Sequence, residues 1–360
     1  MGTNKIIQNW QIKKLGEVCE IRSGKNQKNV VNPNGKYPIY GSSGIFGYAD
    51  DYISEANTTI IGRKGTINNP IYVTEKFWNV DTAFGLHSKE ELNSKYLFYF
   101  CKSFNFHKLD KSTTIPSLSK TDLHSIEVPI PPLETQHAIV SKIEELFSEL
   151  DKGIAELKTA QQQVKTYRQS VLKSAFLGEW EILNIKDITV DIFAGGDKPK
   201  EYSELKNDIF PYPIYANAVA KKGLYGFTNF ARVKEECVTI AGRGSGTGHI
   251  ELRSEPFLPI VRLIVVIPKK DIITSKFLFY YLKSLTIEIE GSAIPQLTIP
   301  TVKEYLIPVP SLSEQHSIVQ EIESRLSVVD KMEQSIQKNL QKAEALRQSI
   351  LKKAFCGELV

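Results

Sequence analysis

PLETQHAIVSKIEELFSELDKGIAELKTAQQQVKTYRQSVLKSAFLGEW, residues 132–180, returns without a gap as SLSEQHSIVQEIESRLSVVDKMEQSIQKNLQKAEALRQSILKKAFCGEL, residues 311–359. The offset is 179 residues, and about two aligned positions in five are identical. Each copy spaces its apolar residues three and four apart, the period of an amphipathic helix. In the first copy Ile139, Ile143, Leu146, Leu150, Leu157, Ala160, Val164, Tyr167 and Val171 fall on one seam, broken at Gly153. The second places Ile318, Ile322, Val329, Met332, Ile336, Ala343, Leu346 and Ile350 there, with Arg325 and Asn339 as polar interruptions. At 1.5 Å per residue each helix would be roughly 60 Å long, and a lone helix of that kind needs a partner for its seam. The nearest partner is the other copy.

Both ends carry stop and start signals. Ser311 and Glu314 have the spacing of a capping box, and Pro-rich VPIPPL (128–133) precedes the first helix. Gly178 and Gly357 follow the two helices, where a left-handed residue would close them.

The repeat extends beyond the helices. Tyr37-Pro38-Ile39-Tyr40 reappears as Tyr212-Pro213-Ile214-Tyr215, SKYLFYFCKS (94–103) as SKFLFYYLKS (275–284), and IIGRKGTI (60–67) as TIAGRGSGTGHI (239–250). The chain is two copies of one unit, a globular part followed by a long helix. Inside each globular part, short β-rich runs such as TTIIG and LIVVIP are broken by Gly, Pro and Asn, with one helix near 95–104 and again near 276–285. Regular strand–helix alternation is missing, so the expected class is α+β with a small bent sheet. If a pseudo-dyad relates the units, the two helices run antiparallel and carry the globular heads at opposite ends of a rod.

The 360 residues are 41% hydrophobic and 24% charged, an ordinary balance for a soluble protein with two or three cores. The first residues, MGTNKIIQNW, lack the apolar core of a secretory signal, and the longest apolar run, 259–268, is too short to span a bilayer and contains Arg262. A cytoplasmic protein with no membrane association is expected. Cys19, Cys101, Cys237 and Cys356 lie far apart and read as reduced, mostly buried thiols, with no metal site. The net charge of +4 resides in the globular parts: residues 1–132 hold 16 Lys and Arg against 12 Asp and Glu, and residues 181–310 hold 16 against 15. A polyanion would therefore meet a local patch rather than a flood of charge.

The polar loops carry the candidate chemistry. Gly62-Arg63-Lys64-Gly65-Thr66 and Gly242-Arg243-Gly244-Ser245-Gly246-Thr247-Gly248 join glycines, which let backbone approach a ligand, to an Arg fork suited to phosphate or guanine. A tight turn with a solvated Arg is the alternative, and the loop's recurrence in both heads sets the two readings level. Head one adds Arg22, Lys25, Ser42 and Ser43, and head two adds Lys198, Lys200, Asn217, Lys221 and Lys222.

Catalytic motifs do not hold up. The glycine loop of head two has neither the Gly-Lys-Ser/Thr of a P-loop nor the spacing of a dinucleotide fingerprint. Asn69-Pro70-Ile71-Tyr72 lacks the second Pro of the amino-methyltransferase signature. Asp197, Glu204 and Lys206 do not make a nuclease set. His137 and His316, beside Gln136 and Gln315 at the helix starts, have no nucleophile or carboxylate cluster near them in sequence and read as packing or interface residues.

A globular domain closing on I-P-x-P-x-L and T-Q-H or E-Q-H, then a long helix ending R-Q-S-[VI]-L-K-x-A-F-x-G-E (168–179 and 347–358), all of it repeated, resembles the specificity (S) subunit of type I restriction-modification systems. The likeness covers the whole chain. It implies target recognition domain 1 over 1–132, a long helix (conserved region 1) over 133–178, target recognition domain 2 over 179–310, and a second long helix (conserved region 2) over 311–360. In such a subunit each domain reads one half of a bipartite, asymmetric double-stranded DNA site, while the coiled coil of paired helices sets the gap and docks two methyltransferase (M) subunits. Restriction (R) subunits complete the complex. The S chain catalyses nothing and binds no cofactor, S-adenosylmethionine and ATP being held by M and R. The DNA-contacting residues implied are Arg22, Lys25, Ser42, Ser43, Arg63, Lys64 and Thr66 in the first domain, and Lys198, Asn217, Arg243, Ser245 and Thr247 in the second. The rival readings are a coiled-coil scaffold whose heads bind proteins, and a self-sufficient methyltransferase or nuclease.

Overall fold

The computed structural model describes residues 10–244, 246–285 and 297–360. Its contacts divide the chain into two compact units, 1–158 with 337–360 and 159–336. Each unit therefore contains one head, part of the helix that follows that head, and part of the other helix.

In the first unit the order is β1 (Gln11–Lys14), α1 (Leu15–Val18), β2 (Cys19–Ser23), β3 (Tyr37–Gly41), β4 (Gly44–Ala49), β5 (Thr58–Gly62), β6 (Ile71–Val73), β7 (Trp78–Asn79), β8 (Ala83–Ser88), α2 (Ser94–Ser103), α3 (Lys120–His124) and β9 (Glu127–Ile130), leading into α4 (Leu133–Ser174). The strands form a four-stranded antiparallel sheet β2-β8-β5-β6, a three-stranded sheet β4-β3-β7 and the pair β1-β9. The second unit repeats this with β10 (Ile182–Asn184), β11 (Thr189–Ala194), β12 (Tyr212–Tyr215), β13 (Leu224–Thr228), β14 (Cys237–Ile240), β15 (Ile250–Arg253), β16 (Leu258–Pro259), β17 (Ile264–Pro268), α5 (Ser275–Ser284), α6 (Ile299–Lys303), β18 (Leu306–Pro308) and α7 (Leu312–Phe355). Its sheets are β11-β17-β14-β15, β13-β12-β16 and β10-β18, the same order throughout. The class is α+β, two similar heads each with its long helix; the one internal helix expected in each head falls at α2 and α5, but head one adds the short α1 and α3 and head two the short α6, whose four or five residues are too few to show a helical period in the sequence.

The first core gathers Ile61, Phe84, Leu86, Tyr96 and Leu97 of the head with Ile139 and Ile143 from the start of α4 and Ile350, Leu351 and Ala354 from the end of α7. Phe355 stands edge-on to Tyr96 and Phe100, with ring centroids 5.1 and 5.5 Å away. In the second unit Phe176 takes this part against Phe277 and Tyr281, at 5.3 and 5.1 Å. The helix segments run antiparallel within each unit. Arg347 pairs with Asp151 in one, and Arg168 with Asp330 and Glu333 in the other. Their carboxylates are solvated, so these ion pairs fix register more than they stabilise.

Along α7 the buried residues include a column of Ile322, Val329, Ile336, Ala343 and Ile350, one per heptad. The seam is narrower than the sequence spacing suggests, because Tyr167, Met332 and Leu346 are about half exposed. Ser311 caps α7 as its spacing predicts: its Oγ accepts the Glu314 N–H at 3.3 Å, and its own N–H donates to the Glu314 carboxylate at 3.0 Å. Gly357 is left-handed (φ 68°), whereas α4 ends at Ser174 and Gly178 does not take that conformation. Gly178 answers a different need, since a Cβ there would lie 2.3 Å from the Trp180 ring.

Gln136 and Gln315 are fully buried and tie each head to its own helix. The Gln136 Oε1 accepts the Asn93 N–H at 2.8 Å, and its Nε2 donates to the carbonyls of Glu91 and Pro131. Gln315 repeats all three bonds with Thr274, Ile272 and Pro310. Cys19, Cys101 and Cys237 are buried thiols, Cys19 and Cys237 pushed up to about 12 by burial, and Cys356 is exposed. Gln136→Leu, nearly equal in volume, strands one N–H and two carbonyls away from water, and should cost about 2–4 kcal/mol. A chemical-denaturation midpoint shift for this variant, with a matching one for Gln315→Leu, is the expected outcome.

Candidate nucleic-acid interface

Head one gathers its candidate loops around the turn that joins β7 to β8. The Lys25 N–H donates to the Asn79 carbonyl at 3.0 Å, and its own carbonyl accepts the Trp78 indole N–H. The Val80 N–H donates to Tyr40 at the end of β3, and the Arg63 N–H to Thr82 at 2.7 Å. Gly62 sits so close to its surroundings that a Cβ would meet the Thr66 carbonyl at 2.0 Å and the Ser42 Cβ at 3.0 Å. Gly65 is left-handed (φ 81°), turning the loop back so that its N–H reaches the Pro116 carbonyl. Lys25, Ser42, Ser43, Arg63, Lys64 and Thr66 thus lie on backbone elements bonded to one another. The side chains of Lys25, Ser43, Arg63, Lys64 and Thr66 are exposed, and Ser42 is half-buried.

Arg22 is differently placed. Its guanidinium holds both carboxylate oxygens of Glu20, at 2.7 and 2.9 Å, and donates to the Ile53 carbonyl at 3.0 Å. The bonds to Glu20 raise its pKa and leave its fork occupied inside the head. The Arg63 guanidinium donates a long bond to the Asp81 carbonyl at 3.3 Å.

In head two Lys198, Asn217 and Arg243 line one open cleft of about 950 Å³, together with Gly195, Tyr225 and Arg262. Lys198 lies over the Tyr202 ring at 5.2 Å. Asn217 brackets the backbone of Arg243: its Oδ1 accepts the Arg243 N–H at 3.3 Å and its Nδ2 donates to the Arg243 carbonyl. Among the described residues no carboxylate is paired with the Arg243 guanidinium. Thr247 faces elsewhere. Its hydroxyl donates to the Gly244 carbonyl at 2.7 Å, and it lines a second cavity of about 340 Å³ with Arg168 and Lys283. Ser245 lies outside the described residues.

Two features of head two are not visible as motifs. One is the hairpin between β12 and β13, which spans Ala216–Gly223 where head one has only Ser42 and Ser43. The other is Arg253, buried at 6% exposure beneath that hairpin and stacked 3.6 Å from the Tyr215 ring. The first could have been found by comparing loop lengths between repeats. The second could have been found by noticing that the strand residue matched to Val73 is an Arg.

Glycine-cornered loops presenting guanidinium and ammonium groups, present in both heads, have the chemistry of a polyanion-recognising class of protein. The chain belongs to the type I restriction modification DNA specificity domain family, whose model matches residues 7–159 and 178–345. It is 28% identical to the Mycoplasma pneumoniae protein named type I specificity subunit S.MpnORF507P, over 85% of this chain and 86% of that one. It is 23% identical to the EcoDI specificity subunit of Escherichia coli, over 100% and 90%. The fold matches a chain solved in a study of assembly and conformational transition of the type I restriction-modification system, with a TM-score of 0.82 at 18% identity, covering 99% of this chain and all of that one. It is a specificity subunit, the non-catalytic recognition chain of such a system. No helix among the described residues is long and apolar enough to cross a membrane.

Arg63→Ala and Arg243→Ala should each weaken specific DNA binding without disturbing assembly. A lost bidentate base contact would cost about 1–3 kcal/mol and relax one position of the site. A lost phosphate contact would lower affinity on every sequence and shallow the salt dependence. Competition binding against single-base site variants at two salt concentrations separates these outcomes.

Proposed function

We propose that each head reads one half of a bipartite, asymmetric double-stranded DNA site, and that the two long helices fix the unread gap and dock two methyltransferase subunits. The observation that carries this reading is one scaffold used twice with different loops on the same face. Strand order, Gln anchors and helix-end Phe residues are repeated, while the β3–β4 and β12–β13 hairpins differ in length and charge. Identical frames with unequal reading loops suit two different half-sites. Lys25, Ser42, Ser43, Arg63, Lys64 and Thr66 would serve one half, and Lys198, Arg243 and Ser245 the other. Asn217 would act by bonding the Arg243 backbone, whereas the Arg22 guanidinium is taken up by Glu20 and Ile53 and Thr247 lines a different cavity from Lys198 and Arg243. The half-exposed apolar side chains of Tyr167 and Met332 in the second unit, and of Leu346 in the first, would offer partner subunits places to dock on the helices. Restriction subunits would complete the assembly, with S-adenosylmethionine and ATP on the partners.

Exchanging residues 181–310 for the equivalent head of a relative should change one half of the methylated site and leave the other as it was. Methylation mapping in a strain carrying the hybrid checks this, and a change in both halves, or in neither, would end the division of labour.

The helices offer a second test. Four residues inserted after Gln162 and four after Gln341, equivalent positions in the repeat, lengthen both helices by about 6 Å. With DNA rising about 3.4 Å per base pair, the gap should grow by one or two base pairs while both half-sites stay unchanged. An unaltered gap in a still active complex would show that the helices do not set it.

A further inference from the structure

The turn between β16 and β17 in head two is held in a conformation that its residues do not favour. Val261 and Arg262 both lie in the left-handed region, at φ 50° and 59°. For a β-branched residue that is an outlier, and such conformations persist only where the surroundings impose them. Here the surroundings are backbone. The Val261 N–H donates to the Gly196 carbonyl at 2.7 Å and the Arg262 N–H to the Gly195 carbonyl at 3.1 Å, while the Ile260 and Leu263 N–H groups are bound to Tyr215 and Ile260. Gly195 permits this approach, since a Cβ there would lie 2.6 Å from the Ile260 nitrogen.

The matching turn of head one, Val80–Ala83, closes with the same Ala83-to-Val80 bond but has no left-handed residue. It also has the opposite chemistry at its tip, Asp81 and Thr82 where head two has Val261 and Arg262. The strained turn thus occurs only in the second head, at a place where the scaffolds otherwise coincide. Val261 is 55% exposed, Arg262 is exposed, and both line the cleft that holds Lys198 and Arg243. Among the described residues Arg262 is paired with no carboxylate.

We infer that the Val261–Arg262 turn is a specificity-determining element of head two, with Arg262 presenting its fork to the edge of a guanine in the major groove. The inference rests on the DNA-recognition reading above. A guanidinium matches guanine O6 and N7 in a bidentate pair, and a turn fixed by these four backbone hydrogen bonds presents that fork in one orientation. The strain is explained by presentation rather than by chain reversal, because head one reverses its chain at the same place without it.

The test uses the full chain in its assembled methyltransferase complex, once the wild-type site has been mapped. Arg262→Gly is chosen because glycine is at ease at this φ, so the turn should survive and the melting midpoint stay level or rise. Discrimination at one base pair of the second half-site should fall roughly 5- to 150-fold, as for loss of a bidentate pair, with the first half-site unmoved. Arg262→Lys keeps the charge without the fork, and should relax the same base pair while leaving the salt dependence of binding as in the wild type. Wild-type discrimination retained by both variants would overturn the inference and leave the general reading standing. A wild-type complex that binds DNA without sequence preference would overturn the reading itself.

Discussion

Phe355, at the very end of the second long helix, packs onto the core of the first head, and Phe176, two residues past the end of the first helix, packs onto the core of the second. Each head closes only when the far end of the other repeat's helix is in place. The reason is elementary: helices of 42 and 44 residues with an apolar stripe draw most of their stability from packing that stripe, so most of it must be covered. Near each head the cover comes from the head itself, and beyond it from the antiparallel segment of the other helix. Duplication makes this economical, because one set of contacts, written once in the sequence unit, is formed twice.

That economy extends to polar detail. Asp151 with Arg347 and Asp330 with Arg168 are one ion pair seen from its two ends, and Lys95 with Glu144 recurs as Lys276 with Glu323, at 2.7 and 2.8 Å. The buried glutamines are the more consequential repeat. An amide that satisfies one N–H and two carbonyls at the junction of head and helix admits no slippage, because a shift of one residue would leave all three groups unpaired in a dry environment. The junction is thereby fixed in register, so that each head keeps one place against the start of its own helix.

Much of this was legible in the sequence, and the limit has a physical cause. Local periodicity exposed both long helices, α2 and α5, the Ser311 capping box and the α+β character, because these depend on neighbours three or four residues away. Alignment of the chain with itself exposed the repeat and the loops worth watching. What the sequence left hidden depends on partners far along the chain. Asn217 gives its amide to the Arg243 backbone, Arg22 is gripped by Glu20 and Ile53, and Thr247 turns to a cavity that Arg243 does not share. Exposure of Tyr167, Met332 and Leu346 was equally invisible, since the 3-4 spacing marks an apolar residue without saying whether anything covers it. Gly178 shows the same limit at a single residue: a helix-end glycine by spacing, a packing glycine by its contact with Trp180.

The heads diverge where the scaffold can bear it, and Arg253 shows how. In head one Val73 occupies the corresponding strand position, opposite Thr58, beneath a hairpin too short to need support. In head two the hairpin is enlarged, and Lys221 and Lys222 at its tip are left-handed. Burying a guanidinium costs several kcal/mol unless its donors are met, and burial does lower the Arg253 pKa. The cost is offset by the Tyr215 face, by the Thr239 hydroxyl at 3.1 Å and by the Lys222 carbonyl at 2.6 Å. That last bond joins the core to the loop. A buried charge that would be a liability in the sheet alone becomes the strut of a longer loop, so the change of Val to Arg and the lengthening of the hairpin are explicable only together. Loops of different reach can in this way be mounted on one frame without altering the helix contacts on which both heads depend.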